Sequence, residues 1–365
     1  MGYMQDCTEN SLNWKKIEYV HSSWIKIRRS KKRKSYLVSS IWKKTSKYTT
    51  KMGDTRYEIR DTKIMEASII IPTYNRRDIL RRALISLFNQ TYPKETYEII
   101  VIDDGSTDNT EAMIKELSAP CFLQYLRQEK KGPAAARNYG LQKAKGEVII
   151  FIDSDIMVSP HFIEEHLRYH KQYDAIVVRG PVIRTRSIEN PTKERMKLTD
   201  MSTAFFATGN TSVKRSFLAQ ADPFDEDFEE YGWEDLEMGE RLKRLGLRVR
   251  TNKRAVGYHY QKRVHLIDLP HICAREKARG RTAVLFYRKH STSTVKYMTQ
   301  ISFFFFFLDW LLTIGDWMDK PWGKRLLIYL DKHNRNFTLR VLMKIIVQHS
   351  YIKGIKEALK KNRKG

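Results

Sequence analysis

Two carboxylates follow an unbroken apolar run in the segment GEVIIFIDSDIMV, residues 146–158. The run ends at Ile152, and a single serine separates Asp153 from Asp155. Like charges this close repel each other unless a cation lies near them. The alternative is a solvated loop after an edge strand, but so apolar a run is typical of a central strand. We therefore predict a metal-binding or catalytic role for both aspartates.

Two further polar clusters follow predicted strands. PTYN, residues 72–75, comes after the β-branched run 67–71, and DDGSTDN, residues 103–109, comes after the run 97–102. Ligands of parallel sheets bind at the carboxyl ends of the strands, so we expect these clusters and the two aspartates at one edge of a sheet. By itself DDGSTDN is equally typical of a turn and helix cap.

Strand and helix patterns alternate along the middle of the chain. Short apolar runs predict strands, and apolar residues at helical spacing between them predict helices. This alternation is typical of an α/β fold with a Rossmann-like, doubly wound, mostly parallel sheet flanked by helices. The predicted strands are 67–71, 97–102, 122–126 and 148–152, and the predicted helices are 76–89, 108–117 and 133–145.

The positive charge of this 365-residue chain is concentrated at its two ends. Residues 1–65 hold 16 Lys and Arg against 6 Asp and Glu, residues 66–260 hold 29 of each kind, and residues 261–365 hold 22 against 7. We predict a neutral catalytic domain, 66–260, between a basic helical N-terminal extension and a basic, aromatic-rich helical C-terminal region. A nucleic-acid-binding protein, which the net charge of +25 suggests, is disfavoured by the neutral middle.

The cysteines and the N-terminus indicate a cytoplasmic setting. Cys7, Cys121 and Cys273 lie far apart without a CxxC spacing, which argues against a disulfide framework and against a thiolate zinc site. The N-terminal stretch MGYMQDCTENSLNW has no apolar core of the kind a signal peptide requires. We therefore expect a protein that stays in a reducing compartment.

Five motifs in the middle of the chain resemble those of the family 2 glycosyltransferases. They are SIIIPTYNR, IIVIDDGSTDNT, KGPAAARNYGL, GEVIIFIDSD and GWEDLEMGERL, in this order. The resemblance implies the GT-A fold, with a nucleotide-binding half at 66–155 and an acceptor half at 156–260. It also implies an inverting transfer from a nucleotide sugar, a UDP-sugar by the habit of the family. Mn2+ or Mg2+ would neutralise the charge that builds on the leaving diphosphate.

The resemblance also assigns roles on the donor side. Asp155 would be the direct metal ligand, Asp153 a contact to the ribose or the metal, and His259 a further ligand. A lone histidine at a strand end is equally often just a satisfied polar residue. Arg137 would approach the base or the phosphates from the start of a helix, and its alternative is a surface residue. Pro72, Thr73 and Tyr74 would form a ledge for the base. Asp103 would hydrogen-bond uracil.

The acceptor side is expected in residues 205–240. We predict an apolar strand over 205–210 that ends in Gly209 and Asn210, and an exposed plane at Trp233 against which a sugar can stack. An inverting transfer needs one general base to take the acceptor proton. We expect Asp235 to be that base, with Glu234 as an acceptor-binding partner and the less favoured base.

The C-terminal region contains the longest apolar stretch, ISFFFFFLDWLLTIGDWM, residues 301–318. Asp309 and Asp316 interrupt it, and it falls short of the ~20 residues that a membrane span requires. It is a buried helix or an interfacial one, and the neighbouring Trp, Lys and Arg residues favour an amphipathic helix at an interface. We expect a protein bound peripherally to the inner face of the plasma membrane, with an anionic membrane surface and a glycan or lipid-linked acceptor as partners. Without the QxxRW signature of the processive synthases, single transfers are expected.

Two other classes remain as alternatives. FIDSDIM resembles the DxDx[TV] nucleophile loop of haloacid-dehalogenase-like phosphatases, although Met157 stands where Thr or Val is expected. The basic ends also fit a polyanion-binding protein without catalytic activity. Release of UDP from a UDP-sugar, release of phosphate from a monoester, or neither, distinguishes the three classes.

Overall fold

The computed structural model of the protein describes residues 65–361, except residues 263, 315–316, 319 and 334. These residues fall within one compact unit, Lys63–Gly365. The predicted helical N-terminal extension therefore lies outside the described residues, apart from Met65.

Ten strands form two sheets. A seven-stranded sheet has the order β3-β2-β1-β4-β8-β6-β9, and a three-stranded sheet has the order β5-β10-β7. Strands β1 to β4 are parallel to one another, whereas β8 is antiparallel to both β4 and β6. The strands are β1 Ala67–Thr73, β2 Tyr97–Asp103, β3 Phe122–Arg127, β4 Val148–Ile152, β5 Ile156–Val158, β6 Ile176–Arg179, β7 Val182–Thr185, β8 Asn210–Lys214, β9 Arg248–Thr251 and β10 Gly257–Tyr260.

The helices surround the large sheet and form the C-terminal region. In chain order they are α1 Arg77–Phe88, α2 Thr110–Lys115, α3 Pro133–Lys143, α4 Phe162–Gln172, α5 Arg215–Gln220, α6 Glu234–Arg244, α7 Leu269–Lys289, α8 Ser293–Met298, α9 Phe303–Leu312, α10 Pro321–Lys332 and α11 Asn336–Lys361. The α/β class with a mostly parallel central sheet and a helical C-terminal region is confirmed for the described residues.

The central strands are buried on both faces because their β-branched residues alternate between two cores. Ile69 and Ile71 of β1 pack in the core that includes α1, whereas Ile70 packs in the core on the opposite face. Burying an isoleucine side chain contributes about 1.5–3 kcal/mol. Helix α3 approaches this second face closely at Gly140, where a Cβ would lie only 2.7 Å from Ile102 Cδ1. The sheet edge that carries the polar clusters is thus fixed by dense packing beneath it.

Two predicted elements differ from the structure. Strand β1 continues through Pro72 to Thr73, and the apolar strand predicted over 205–210 is wrong, because the ladder of β8 begins only at Asn210. Phe206 instead fills the core, with its ring 5.7 Å from that of Phe151 in an edge-to-face arrangement. An apolar segment can fill a core without joining a sheet.

The small sheet continues directly from the pair of aspartates. Strand β5 begins one residue after Asp155 and pairs antiparallel with β10, so that Ile156 lies opposite His259. Strand β10 also pairs in parallel with β7. This pairing brings His259 to Asp155 although about a hundred residues separate them in the chain.

Helices α7 and α11 form the centre of the C-terminal region. They cross closely at two glycines, since a Cβ on Gly280 would lie 2.1 Å from Tyr351 O and one on Gly354 would lie 2.0 Å from Lys277 O. Phe228 and Trp233 pack into the same cluster as Phe286 of α7 and Ile352 of α11. Within the described part of the chain, none of the helices combines the length and hydropathy of a membrane span.

Candidate active site

The loops that follow β1 and β2 are joined by hydrogen bonds. The backbone N–H of Asn75 donates to Ser106 Oγ at 2.8 Å, and Asn75 Oδ1 accepts from the N–H of Thr107 at 2.8 Å. Asn75 has a φ of 51°, in the left-handed region that Asn tolerates better than most residues. The first two polar clusters therefore lie at one edge of the sheet, as predicted.

Asp103 ends β2 and is almost completely buried. Its Oδ1 accepts from the N–H of Ser106 at 2.7 Å, and its Oδ2 accepts from the hydroxyl of Tyr125 at 2.6 Å. Burial and the hydrogen bond to Asp103 raise the pKa of Tyr125, so that the hydroxyl remains a donor. Each carboxylate oxygen has a second lone pair. A surface pocket lies beside Asp103, lined also by Ser106, Tyr125 and Arg127.

Tyr74 lies at the same edge and is 39% exposed. The ammonium nitrogen of Lys130 is 4.1 Å from the centre of its ring, a cation–π contact. Pro72 and Thr73 precede it at the end of β1, and Thr73 is buried. Of the three residues of the predicted ledge, Tyr74 is the most exposed, Pro72 is partly buried and Thr73 is buried.

Asp104 accepts three hydrogen bonds from the loop before α3. This role of Asp104 was not predicted from the sequence. Its Oδ1 accepts from the N–H of Lys131 and from Gln128 Nε2, both at 2.8 Å, and its Oδ2 accepts from the N–H of Gly132 at 3.0 Å. Gly132 has a φ of +92° and lies against the backbone of Glu229, so a side chain does not fit there. The sequence Asp103-Asp104-Gly105 could have indicated such a role, but this sequence is typical of any tight turn.

Asp155 lies between two cationic or potentially cationic side chains. Its Oδ2 is 3.2 Å from His259 Nε2, and Arg76 Nη1 donates to the same oxygen. Burial alone would raise the pKa of Asp155, but the hydrogen bond to His259 and the charge of Arg76 outweigh it and lower the pKa. The carboxylate is therefore held ionised.

The donor set fits a divalent cation that shares its coordination with a substrate. Asp155 and His259 would supply a carboxylate oxygen and an imidazole nitrogen, which lie 3.2 Å apart, to such a cation. Among residues 65–361 with the gaps given above, no group of three or more His, Cys, Asp or Glu residues is arranged to hold a metal. The pair fits a metal completed by substrate phosphate and water, and it does not fit an all-protein cage.

Arg137 is buried in α3 and pairs with two carboxylates. Its Nη1 donates to Glu234 Oε1 at 2.9 Å, and its Nη2 lies 3.6 Å from Asp153 Oδ1. Only 6% of its side chain is exposed. The surface alternative for Arg137 is therefore wrong, and the structure shows it as a link between α6 and the loop of Asp153.

Asp235 is the second residue of α6 and is half-buried. The chain enters this helix through two left-handed residues, Gly232 at φ +106° and Trp233 at φ +77°. Burial and the neighbouring charge of Glu234 raise the pKa of Asp235 to about 7. Glu234 is already paired with Arg137, so of the two acidic residues Asp235 is the one suited to exchange a proton near neutral pH.

Two acceptor residues expected from the sequence have structural partners instead. The side-chain amide of Asn210 is buried, donates to the carbonyls of Pro181 and Ala255, and accepts from His166. Asn210 therefore holds the two sheets together, and the acceptor role predicted for it is wrong. Its neighbour Gly209 does lie at the site, since a Cβ there would be 3.2 Å from Asp153 Oδ2.

The exposed aromatic plane predicted at Trp233 is also wrong. Its ring is 6% exposed, stacks on Phe286 at 5.7 Å, and has the guanidinium of Arg279 4.9 Å from its centre. Its Nε1 donates to the carbonyl of Arg279 at 3.0 Å. Trp233 thus anchors the start of α6 to α7.

Helix α7 contributes side chains beside the site that the sequence did not indicate. Arg281 pairs with Glu230, with Nε–Oε2 2.8 Å. The guanidinium of Arg275 lies 5.1 Å from the ring centre of Tyr231, which is half exposed. The turn before Asp235 is held by α7 on one side.

The chain is similar in sequence to known glycosyltransferases. Residues 68–225 match the family model for glycosyl transferase family 2. The chain is 29% identical over 256 residues to the uncharacterized glycosyltransferase YfnE of Bacillus subtilis, across 54% of this chain and 65% of that protein. It is 29% identical over 237 residues to chondroitin synthase of Escherichia coli, across 53% of this chain and 34% of that protein. The matches thus span less than two thirds of the length of either relative.

A solved structure has the same fold. A mannosyltransferase from Pyrobaculum calidifontis, in complex with GDP-Man and Mn2+, superposes with a TM-score of 0.55 and 20% identity, over 80% of this chain and 87% of that one. Residues 68–225 are thus similar to the family 2 glycosyltransferases, and the described residues have the GT-A fold. The transferase class is therefore favoured over the phosphatase and the non-catalytic polyanion binder.

Proposed function

We propose that the protein transfers a hexose or N-acetylhexosamine from a UDP-sugar to a glycan or lipid-linked acceptor, with inversion at C1 and one sugar per encounter. The observation that carries the proposal is that Arg137 contacts both Asp153, two residues before Asp155, and Glu234, next to Asp235, whose pKa is raised to about 7. Asp155 in turn pairs with His259. A glycosyl transfer needs a group that stabilises the leaving diphosphate and a proton acceptor, on either side of the sugar.

The metal proposal rests on Asp155 and His259. Their oxygen and nitrogen would be two ligands of Mn2+ or Mg2+, and the donor diphosphate would supply others. When bound, such a cation stabilises the negative charge that develops on the leaving diphosphate. Arg76 contacts the same oxygen of Asp155, so its guanidinium would turn toward the phosphates when that oxygen binds a metal.

The base proposal rests on the environment of Asp235. With a pKa raised to about 7, this carboxylate is a stronger base than an exposed aspartate and is still partly ionised at neutral pH. It would take the proton of the acceptor hydroxyl as that oxygen forms its bond to C1 and the bond from C1 to the diphosphate breaks. Direct displacement from the opposite face inverts the anomeric centre.

The nucleotide proposal rests on the edge formed by β1 and β2. Tyr74 offers an exposed ring, and Asp103 has spare lone pairs that can accept the N3–H of uracil. Lys130, above the ring of Tyr74, would be displaced by a stacked base or would contact the ribose. The same carboxylate could accept from the N1–H and the amino group of guanine, so the choice of UDP rests on the habit of the family.

A panel of UDP-sugars and GDP-sugars tests the proposal. We expect Mn2+-dependent thermal stabilisation by UDP and by at least one UDP-sugar, release of UDP on addition of a glycan acceptor, and an inverted anomeric signal by proton NMR. Stabilisation by GDP-sugars alone would overturn the donor, full activity in EDTA would overturn the metal, and retention of configuration would overturn the single displacement. Phosphate release from a monoester, without any of these signals, would favour the phosphatase class.

We further propose that the enzyme works in the cytoplasm, bound peripherally to an anionic membrane surface. Support comes from the 22 Lys and Arg against 7 Asp and Glu in residues 261–365. Each basic residue near an anionic surface contributes about 1 kcal/mol to binding.

A further inference from the structure

Helix α9 exposes an apolar face to solvent. Phe303 is 82% exposed, Phe304 65% and Trp310 58%. We name as the aromatic face the large apolar side chains of α9 that are exposed: Phe303, Phe304, Phe307, Leu308, Trp310, Leu311 and Leu312. A contiguous apolar surface of this kind is unusual on a protein surrounded by water and marks an interaction site.

The apolar and charged side chains of α9 are arranged in the opposite way to those of an ordinary surface helix. Its charged residue, Asp309, points inward with 3% of its side chain exposed, accepts from Lys356 Nζ at 2.9 Å and lies 2.8 Å from His349 Nδ1. A surface helix in water buries its apolar stripe and exposes its charges. Here α11 neutralises the buried carboxylate, so the outward face is left free of charge.

A second group of aromatic side chains lies at the start of α10 and just before it. The rings of Trp317 and Trp322 stack at 6.2 Å, and Trp322 is 55% exposed. Basic residues with exposed side chains border it at the start of α10: Lys320, Lys324 and Arg325. Tryptophans beside basic residues at the border of an apolar face are typical of helices that lie in a membrane interface.

We propose that the aromatic face and the tryptophans beside it insert into the headgroup region of an anionic lipid bilayer. The proposal rests on the membrane attachment proposed above and identifies the surface that performs it. Residues 291–345 hold eight Lys and Arg against four Asp, one of which is the internally paired Asp309. Charge of this sign attracts an anionic surface, whereas two copies of the chain meeting face to face would bring like charges together.

The location of this surface connects it to the site. Leu266, in the segment that follows β10 and His259, packs against the cluster that contains Leu327 and Leu330 of α10. Its neighbour Ile267 is 87% exposed. A bilayer bound at α9 and at the start of α10 would thus contact the helix against which the segment after His259, a proposed metal ligand, packs.

Vesicle sedimentation of the full chain tests the proposal. The test variant is Phe303→Glu with Phe307→Glu, and the matched control is Ile85→Glu with Tyr173→Glu, which adds the same charge at exposed apolar positions of α1 and of the residue after α4. We expect the wild type and the control to bind vesicles of phosphatidylcholine with phosphatidylglycerol, and the test variant to bind about tenfold or more weakly. The fluorescence of Trp310 and its neighbours should shift to the blue when the wild type binds.

Each other outcome overturns the proposal. Equal vesicle binding by the two double variants would mean that the aromatic face does not insert. A wild type that does not bind the vesicles of phosphatidylcholine with phosphatidylglycerol would mean the same. A wild-type dimer in light scattering that the test variant alone dissociates, without lipid binding, would assign the face to a second copy. The readout is independent of catalysis, so vesicle binding without any sugar transfer would remove the proposed reaction and leave the docking surface. Unchanged thermal unfolding of both double variants shows that the substitutions leave the fold intact.

Discussion

The guanidinium of Arg137 joins Glu234 at the start of α6 to Asp153 at the end of β4. The distances are 2.9 Å to Glu234 Oε1 and 3.6 Å to Asp153 Oδ1. Because Asp235 follows Glu234 and Asp155 follows Asp153 by two residues, one buried cation positions both halves of the proposed reaction. A cation shared by two carboxylates also reduces the repulsion within this acidic region.

Breaking this link should cost stability. Glu234→Gln would leave the buried Arg137 guanidinium with the more distant carboxylate of Asp153 as its charge partner. Loss of one partner of a buried pair costs about 3–5 kcal/mol, and the remaining contact should keep the loss at the lower end of this range. Urea denaturation should report a lower free energy of unfolding with an unchanged slope. Glu111→Gln, which removes an exposed carboxylate paired with Lys115, serves as the control and should unfold as the wild type does. A wild-type midpoint for Glu234→Gln would show that the pair contributes nothing.

Asp155→Asn should abolish transfer and weaken the binding of UDP in the presence of Mn2+. The amide is a poor substitute for an anionic oxygen ligand, and the fold should survive because the residue is partly exposed and lies outside the core. Calorimetric titration of UDP, with Mn2+ and with EDTA, measures the effect. Asp174→Asn, an exposed carboxylate paired with Lys214, is the matched control. If the variant bound UDP with the same metal dependence as the wild type, Asp155 would not be a ligand.

Asp235→Asn should lower turnover by about 10²- to 10⁴-fold, the range that general-base catalysis contributes. Donor affinity should remain, since the base acts only when the acceptor attacks. Product formation at saturating donor gives the first quantity and UDP titration gives the second. Turnover near that of the wild type would move the base elsewhere. A loss of donor affinity equal to the loss of turnover would mean that Asp235 binds the donor.

The same residue predicts a pH dependence. The pKa of Asp235 is raised to about 7 by burial and by Glu234, so the carboxylate is protonated, and unable to accept a proton, below that pH. We expect kcat/KM to rise with pH and to level off above about pH 8. Residual activity of Asp235→Asn should lack this rise. An identical profile in the variant would assign the titration to another group.

Two buried histidines predict acid sensitivity of the fold. His166 and His170 lie beneath β8 and both contact Ser212 Oγ at 2.9 Å. Burial lowers the pKa of His166 to about 4 and that of His170 to about 3. The unfolded chain, with histidine pKa values near 6.5, therefore binds protons before the folded one does, and stability falls as the pH drops from about 6.5 toward 4.

At about pH 5 each of these histidines should have cost about 2 kcal/mol relative to neutral pH. Urea denaturation of the wild type and of His166→Gln at several pH values measures this, and the variant should show a shallower dependence. His161→Gln, at an exposed histidine of the same helix region, should keep the wild-type dependence. Parallel curves for His166→Gln and the wild type would contradict the prediction.

The strands β1 to β4 and their helices were predictable because their signals are local. Strands β1, β2 and β4 are short runs rich in β-branched residues, and β3 is a short run of Leu and aromatic residues. Helix α1 shows apolar residues at helical spacing, so a short stretch of sequence determines each of these assignments. The polar strand β8, NTSVK, has no such signal. Its buried Ser212 hydroxyl has its partners, His166 and His170, on a helix about forty residues away in the chain.

Residues of the site that lie in one loop after a strand could be predicted from the sequence. Contacts between elements that are distant in the chain could not. Asp153 and Asp155 follow a recognisable strand, whereas the contact of Asp155 with Arg76 depends on folding of separate segments. Trp233 was misjudged for the same reason. Its sequence neighbours indicate a pocket, but α7, which covers its ring, begins at Leu269.

The anchoring of Trp233 and Glu230 to α7 bears on how this protein can diverge. The segment that matches the family model ends at residue 225, before the turn that carries Asp235 and before His259. The matched segment holds Asp153 and Asp155, whereas Asp235 and His259 lie after it, on α6 and β10. Because α7 anchors the start of α6, remodelling of these helices could change which hydroxyl is presented to the sugar without any change in the matched segment. The end of that segment would then divide the proposed reaction centre, with Asp155 on one side and the proposed base Asp235 on the other.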